Sequence, residues 1–287
     1  MPPRKPTIGI LTGGGDCPGL NAVIRAVVKG AHRLGYECLG FLRGYEGLVH
    51  PVAWTPLDPR QVANIHAQGG TIIGSSNSGR FTALVGENES VAIDPALLDE
   101  AAGTLEKLGV CGLVCIGGDG SLSIALQFHR HGIPVVGVPK TIDNDLGATA
   151  TTFGFDSAVA TATDALDRLH TTAASHERVM VLEVMGRHAG WIALHAGIAG
   201  GGDVILIPEI DWDYEHVCRA VRDREAEGKN FTLVVVAEGA RLPGGASVHA
   251  GDDGKRRQVR LGGIGETVAA EIAGRLGREV QIGRAHV

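Results

Sequence analysis

The chain has 287 residues, a formal net charge of −6, 44% hydrophobic and 20% charged residues. That is enough apolar material for a sizeable core, and the length suits two domains of ~100–200 residues each. The acidic balance speaks against a nucleic-acid binder, and without a long apolar run, signal peptide or lipidation pattern no membrane partner is expected; the expectation is a cytoplasmic protein.

After a polar start over 1–6, the apolar run 7–11 predicts a strand. It ends in Thr12-Gly13-Gly14-Gly15-Asp16-Cys17-Pro18-Gly19. Pro18 suits the first turn of a helix, Leu20, Val23, Ile24, Val27, Val28 and Ala31 keep helical spacing, and Gly35 closes the element. Such a glycine-rich turn can bind part of a polyphosphate. It lacks the dinucleotide spacing, and no acidic residue ends the strand expected over 37–42, so a nicotinamide enzyme is the weaker reading. Tyr45 then lies in a turn, and a loop of small hydroxyl residues over 69–80 ends in Arg80. Such an arginine is usually solvated, but it could reach a transferring phosphoryl group. Residues 95–108 read as an amphipathic helix.

The chain is organised around residues 113–145. A short apolar run ends in Gly117-Gly118-Asp119-Gly120-Ser121, a helix is expected over 121–130, and a second run over 133–138 ends in Pro139-Lys140-Thr141-Ile142-Asp143-Asn144-Asp145. Strand, helix, strand makes a βαβ unit with parallel strands, so both acidic clusters emerge at one carboxyl edge, where open α/β folds bind ligands. The glycines let backbone N–H groups approach a phosphate, and the helix adds its positive end. Asp119 suits Mg2+, and Asp143 and Asp145 suit a substrate hydroxyl and the metal. Cys111 and Cys115, on or beside the first strand, are expected in the core. Five cysteines without paired ligand spacing point to a reduced compartment and no zinc site.

The pattern then restarts. Helices are expected over 156–172, 188–198, 215–227 and 266–276, strands over 179–184, 204–207 and 231–237, and a mobile loop over 241–260. Arg187, Glu209 and Glu238 stand at strand ends. The expected fold is two doubly wound α/β domains, 1–148 and 149–287, facing each other across a cleft.

With these residues assembled, the chain closely resembles the phosphofructokinase family. The matching motifs run from Gly13 through Asn21, Gly117 to Ser121, Pro139 to Asp145, Ser175-His176-Glu177-Arg178, and Glu183 to Gly190. The resemblance implies phosphoryl transfer to the 1-hydroxyl of fructose 6-phosphate. It implies Asp143 as the base, ionised at neutral pH on a reference pKa of ~3.9, with Thr141 beside the transferring group. Asp119 and Asp145 resemble the magnesium side. Gly13 and Arg80 resemble groups that steady the phosphoryl, although the family's loop before that arginine is shorter. Gly13, Tyr45, Gly118, Asp119, Gly120 and Ser121 are implied at the donor. Met185, Gly186, Arg187 and Glu238 are implied at the sugar, with Thr141, Asp143 and Asp145. Arg178 resembles an arginine supplied to the 6-phosphate of a neighbouring subunit, which implies a homo-oligomer, a tetramer or dimer, with shared sites.

Gly120 resembles ATP users, whereas pyrophosphate users carry an aspartate there. Lys140 resembles pyrophosphate users and a mixed ATP-using subgroup. Gly120 decides for ATP, because a missing side chain permits the nucleotide and a lysine does not exclude it. Arg25 matches an effector-site arginine, but His170 stands where another is usual, so no effector is expected or excluded. Gln281 to Val287 do not follow the family pattern and can be read as a translated sequencing adapter, so a truncated or chimeric gene is expected. The competing classes are an inactive fragment or a non-catalytic subunit binding nucleotide or sugar phosphate. Kinases of lipid or NAD type rank low, since they lack the Thr-Ile-Asp-Asn-Asp cluster.

Overall fold

The computed structural model describes residues 5–76, 79–81, 92–147, 149–249 and 261–285. Most of the loop expected over 241–260 and part of the one over 69–80 lie outside these residues. The chain divides into two compact units, Met1–Thr141 with Leu146–Gly154, and Ile142–Asp145 with Phe155–Val287.

In the first unit the chain runs β1 (Thr7–Thr12), α1 (Leu20–Arg33), β2 (Glu37–Phe41), a short 3-10 helix (Gly44–Leu48) and β3 (Trp54–Leu57). It continues through α2 (Pro95–Leu108), β4 (Val110–Gly117), α3 (Asp119–Arg130), β5 (Val135–Thr141) and β6 (Phe153–Gly154). The sheet order is β3-β2-β1-β4-β5-β6. All neighbours are parallel except β3 on β2. Strand order runs outward from β1 on one side and from β4 on the other, so the switch point lies between them. Gly13 and Gly118 follow those two strands and flank it, where this architecture takes ligands.

Local chemistry explains the elements. Asp94 caps α2 by accepting from the Ala96 N–H, Pro95 fills the first turn, and Gly109 ends the helix at φ 70°. Ile10, Leu11, Leu113, Cys115 and Ile116 bury the centre of the sheet. Beneath it the rings of Tyr45, Phe81 and Phe128 pack with centroids 5.3–5.9 Å apart. Burying a side chain such as Phe128 contributes ~1.5–3 kcal/mol.

The second unit runs α4 (Phe155–His176), β7 (Val179–Val184), α5 (Trp191–Ala199), β8 (Val204–Leu206), α6 (Tyr214–Ala226), β9 (Thr232–Ala237), α7 (Ile264–Leu276) and β10 (Val280–Ala285). Its sheet is parallel, in the order β10-β7-β9-β8. The central strands β7 and β9 are buried along their whole length, as their unbroken apolar runs require. Val159, Ala162, Leu166 and Leu169 of α4 join the core packed on them.

Several expectations change. β5 starts two residues late and runs on through Pro139, Lys140 and Thr141, held by pairing with β4 and β6. α5 begins at Trp191 rather than 188, because Gly186 at φ 142° and Arg187 at φ 51° hold a turn first. β3, β6 and β10 were not expected. β10 is built from Val280–Ala285 and pairs in parallel with β7 at the sheet edge. Cys115 is fully buried, but Cys111 is exposed.

Candidate active site

Most residues expected at the donor lie in the first unit. Gly13 donates its N–H to the Ile116 carbonyl at 2.9 Å, which stitches the turn after β1 to the end of β4. Ser121, in the first turn of α3, fills the space above both glycines. A Cβ on Gly13 would stand 2.5 Å from Ser121 Oγ, and one on Gly117 only 2.3 Å from Ser121 Cβ. Glycine at 13 and 117 is thus set by packing on Ser121, not by phosphate approach alone. Gly15 is different, with open space where its side chain would be.

Neither α1 nor α3 has a side-chain cap, since Gly19 and Gly118 stand at their N-caps. The first N–H groups of a helix have no partner within it, so these two ends suit an anion. Lys140 is buried at the end of β5, and its Nζ donates to the Gly15 carbonyl. Thr141 is buried beside it, its Cβ 3.9 Å from where a Cβ on Gly118 would stand. A cavity of about 290 Å³ opens next to these turns, lined by Gly14, Asp16, Gly70, Thr71 and Ser75.

Tyr45, expected at the nucleotide, is 5% exposed, and its hydroxyl donates to the Ser121 carbonyl at 2.7 Å. Burial pushes the phenol well above its usual range, so it stays a proton donor. The bond to Ser121 ties Tyr45 to the first turn of α3. Arg80 is held in the same unit by Glu46 at 3.1 Å.

Apart from Thr141, the residues expected at the sugar lie in the second unit. Asp143 is buried, with Arg187 Nε 3.8 Å from its Oδ2, and Asp145 is exposed two residues on. Arg187 donates its N–H to Glu238 Oε1 at 2.9 Å, linking the turns after β7 and β9. Met185, Gly186 and Arg187 follow β7 directly. Gly239 is forced, since a Cβ there would lie 1.7 Å from the Arg187 carbonyl oxygen. Glu209 accepts from the Gly190 N–H at 2.8 Å and steadies the start of α5, a structural use of a residue expected to be functional. Arg178 pairs with Glu279 of its own chain at 2.8 Å. Arg25 donates to the Ala63 carbonyl and His170 meets the Gly200 carbonyl.

Asp119 and Asp145 are exposed carboxylates, and no group of three or more His, Cys, Asp or Glu gathers among the described residues. A single exposed carboxylate suits Mg2+, which takes one or two carboxylates and fills its shell with phosphate oxygens and water.

The phosphofructokinase family model matches residues 7–284.

The chain belongs to the phosphofructokinase family.

It is 51% identical over 282 residues to a Chloroflexus aggregans protein named ATP-dependent 6-phosphofructokinase, covering 98% of this chain and 77% of that one. It is 50% identical over 274 residues to an Amycolatopsis methanolica protein named pyrophosphate–fructose 6-phosphate 1-phosphotransferase, covering 95% and 76%. Among solved structures, phosphofructokinase from Saccharomyces cerevisiae aligns with a TM-score of 0.79 at 30% identity, over 98% of this chain and 38% of that one. The match ends at 284, within β10.

Sequence reasoning located both glycine-rich turns, the Thr141-to-Asp145 stretch and the Met-Gly-Arg turn. It missed Glu46, a lone carboxylate in a turn whose partner lies 34 positions on. No local pattern announces such a pair.

Proposed function

We propose that this phosphofructokinase-family enzyme transfers a phosphoryl group from ATP to the 1-hydroxyl of fructose 6-phosphate, giving fructose 1,6-bisphosphate. The observation that carries the reading is the turn Gly117-Gly118-Asp119-Gly120-Ser121 between β4 and α3, with glycine at 120. A side chain there would crowd a nucleotide's inner phosphate, and a carboxylate would repel it.

In this mechanism the N-termini of α1 and α3 hold the donor's phosphates, with Lys140 bracing the loop at Gly15. Asp143 accepts the proton of the sugar's 1-hydroxyl as its oxygen attacks phosphorus, and Arg187 beside it keeps the carboxylate oriented. Thr141 supplies a hydroxyl to the group in transfer. Asp119 and Asp145 would hold Mg2+, which supplies neutralisation of phosphate charge when bound. Met185, Arg187 and Glu238 bind the sugar.

The assembly proposed is a homo-oligomer, tetramer or dimer, in which Arg178 serves a neighbouring site. Its pairing with Glu279 means that a sugar phosphate competes with that carboxylate. Five free cysteines support the cytoplasm as its setting. No helix of the described residues is long and apolar enough to cross a membrane.

A second reading, pyrophosphate as donor, is favoured by Lys140 and by the similarity to the Amycolatopsis methanolica protein. Fructose 6-phosphate and Mg2+ with ATP in one tube and pyrophosphate in another separates the two. Product with ATP alone supports the proposal. Product with pyrophosphate alone makes Lys140 the better guide, and no product from folded protein favours the binding-subunit class.

A further inference from the structure

Glu46 stands in the 3-10 helix Gly44–Leu48, one residue after buried Tyr45. That helix packs against the donor turn: a Cβ on Gly44 would lie 2.8 Å from the Thr12 carbonyl oxygen, and one on Gly13 would lie 3.6 Å from Tyr45 Cε2. The Glu46 carboxylate is engaged three times by residues far along the chain. It accepts from the Arg80 N–H at 2.6 Å, the Arg80 Nε–H at 3.1 Å and the Phe81 N–H at 3.4 Å. Arg80 Nη1 donates to the His50 carbonyl at 3.0 Å. Gly79 is fitted to the same group, since a Cβ there would stand 2.3 Å from Glu46 Oε1.

A guanidinium carries five N–H donors in a planar fork. Here Nε meets a carboxylate and Nη1 a carbonyl. The Arg80 side chain is 40% exposed. A long arginine in solvent loses much of its rotamer freedom when it binds a phosphate. An arginine already held at Nε and at its own backbone has lost most of it beforehand.

We propose that Glu46 is a positioning residue that pre-orients Arg80 toward the phosphoryl group in transfer. This rests on the reading of Arg80 as a donor-side arginine. Glu46 fixes the base of the fork at Nε and at the backbone N–H, so that the guanidinium is already ordered when it engages a terminal phosphoryl oxygen. Its effect is confined to ligands that carry a group at that position.

The test uses the 287-residue chain and direct binding, by calorimetry, of two probes: Mg·ADP, and Mg·ADP with beryllium fluoride, which fills the place of the terminal phosphoryl. The variants are Glu46→Ala, Glu46→Gln, Arg80→Ala and the double Glu46→Ala/Arg80→Ala, with circular dichroism to confirm folding. Glu46→Ala is expected to weaken the beryllium fluoride complex about tenfold and to leave Mg·ADP unchanged. Glu46→Gln, which still accepts from the Arg80 N–H, is expected to recover most of the loss. The double variant is expected to bind no worse than Arg80→Ala. Equal loss on both probes would make Glu46 a structural residue only and overturn the proposal. Additive losses, or an effect of Glu46→Ala with none from Arg80→Ala, would also overturn it. A wild-type chain that binds Mg·ADP and its beryllium fluoride complex, with all variants unaffected, sinks the role of Glu46 alone. A folded wild-type chain that binds neither probe sinks the ATP reading as well.

Discussion

Replacing Gly117 by alanine tests whether the end of β4 is shaped by Ser121. The added Cβ would stand 2.3 Å from Ser121 Cβ, 2.7 Å from its Oγ and 3.1 Å from the Gly13 carbonyl oxygen. Real Cβ atoms do not approach so closely, so the first turn of α3 must move or its helix must fray. Forcing extra volume into a packed site costs ~1–3 kcal/mol. At about 2–4 °C per kcal/mol for a domain of this size, the melting midpoint falls by about 2–12 °C. Ser121→Gly removes both clashing atoms at a cost of ~1 kcal/mol for glycine in a helix. The double variant Gly117→Ala/Ser121→Gly should therefore be more stable than the sum of its parts by ~1 kcal/mol or more. Thermal melts and urea titrations of the four proteins measure the coupling. Additive losses would refute the claim that these glycines make room for Ser121. A Gly117→Ala protein as stable as wild type would do the same.

Four further outcomes are expected. Gly120→Asp adds a charge near the donor's inner phosphates; two like charges 4 Å apart cost ~4 kcal/mol at an effective dielectric of 20, up to about 10³-fold in kcat/KM for ATP. Full ATP activity in this variant would break the argument from Gly120. Asp143→Asn keeps the shape and removes the proton acceptor, so kcat falls by ~10²–10⁴ while donor affinity, read by calorimetry, holds; unchanged kcat would remove Asp143 from the chemistry. Burial pushes the thiols of Cys17 and Cys38 up to about 11 and that of Cys115 to about 12 from 9.0. They stay protonated at pH 8, so Ellman's reagent should find exposed Cys111 first, and Cys111→Ser should abolish the fast phase. Raised folded-state values also mean that stability is whole below pH 9 and declines as pH climbs through about 11–12; a flat alkaline stability profile would contradict this.

Much of this fold was legible because buried parallel strands write themselves as short β-branched runs closed by glycine. β7 and β9 are the clearest cases, buried at every position. β3 was not legible because Trp54-Thr-Pro-Leu carries a proline and sits on an antiparallel edge, where no apolar run is required. β6 has two residues, too few for any periodicity. At the site, residue types and spacing gave the turns, but their reasons came from packing. Glycine at 13 suggested phosphate approach, and the contact with Ser121 supplied a second cause. The burial of Tyr45 and its bond to Ser121 were not legible, because an aromatic in a turn can be either buried or exposed. The pair Glu46–Arg80 was invisible because it depends on two loops meeting.

The fit of Gly239 beneath the Arg187 carbonyl, with the Arg187 N–H on Glu238, makes the ends of β7 and β9 one object. An engineer seeking a different sugar cannot transplant one of these loops by itself. A graft of residues 185–190 onto a scaffold whose second loop lacks a glycine at the facing position would meet that scaffold's own side chain. The smallest transferable part of the acceptor side is therefore a discontinuous pair of loops, and libraries that vary 185–190 should vary 238–240 in the same clones.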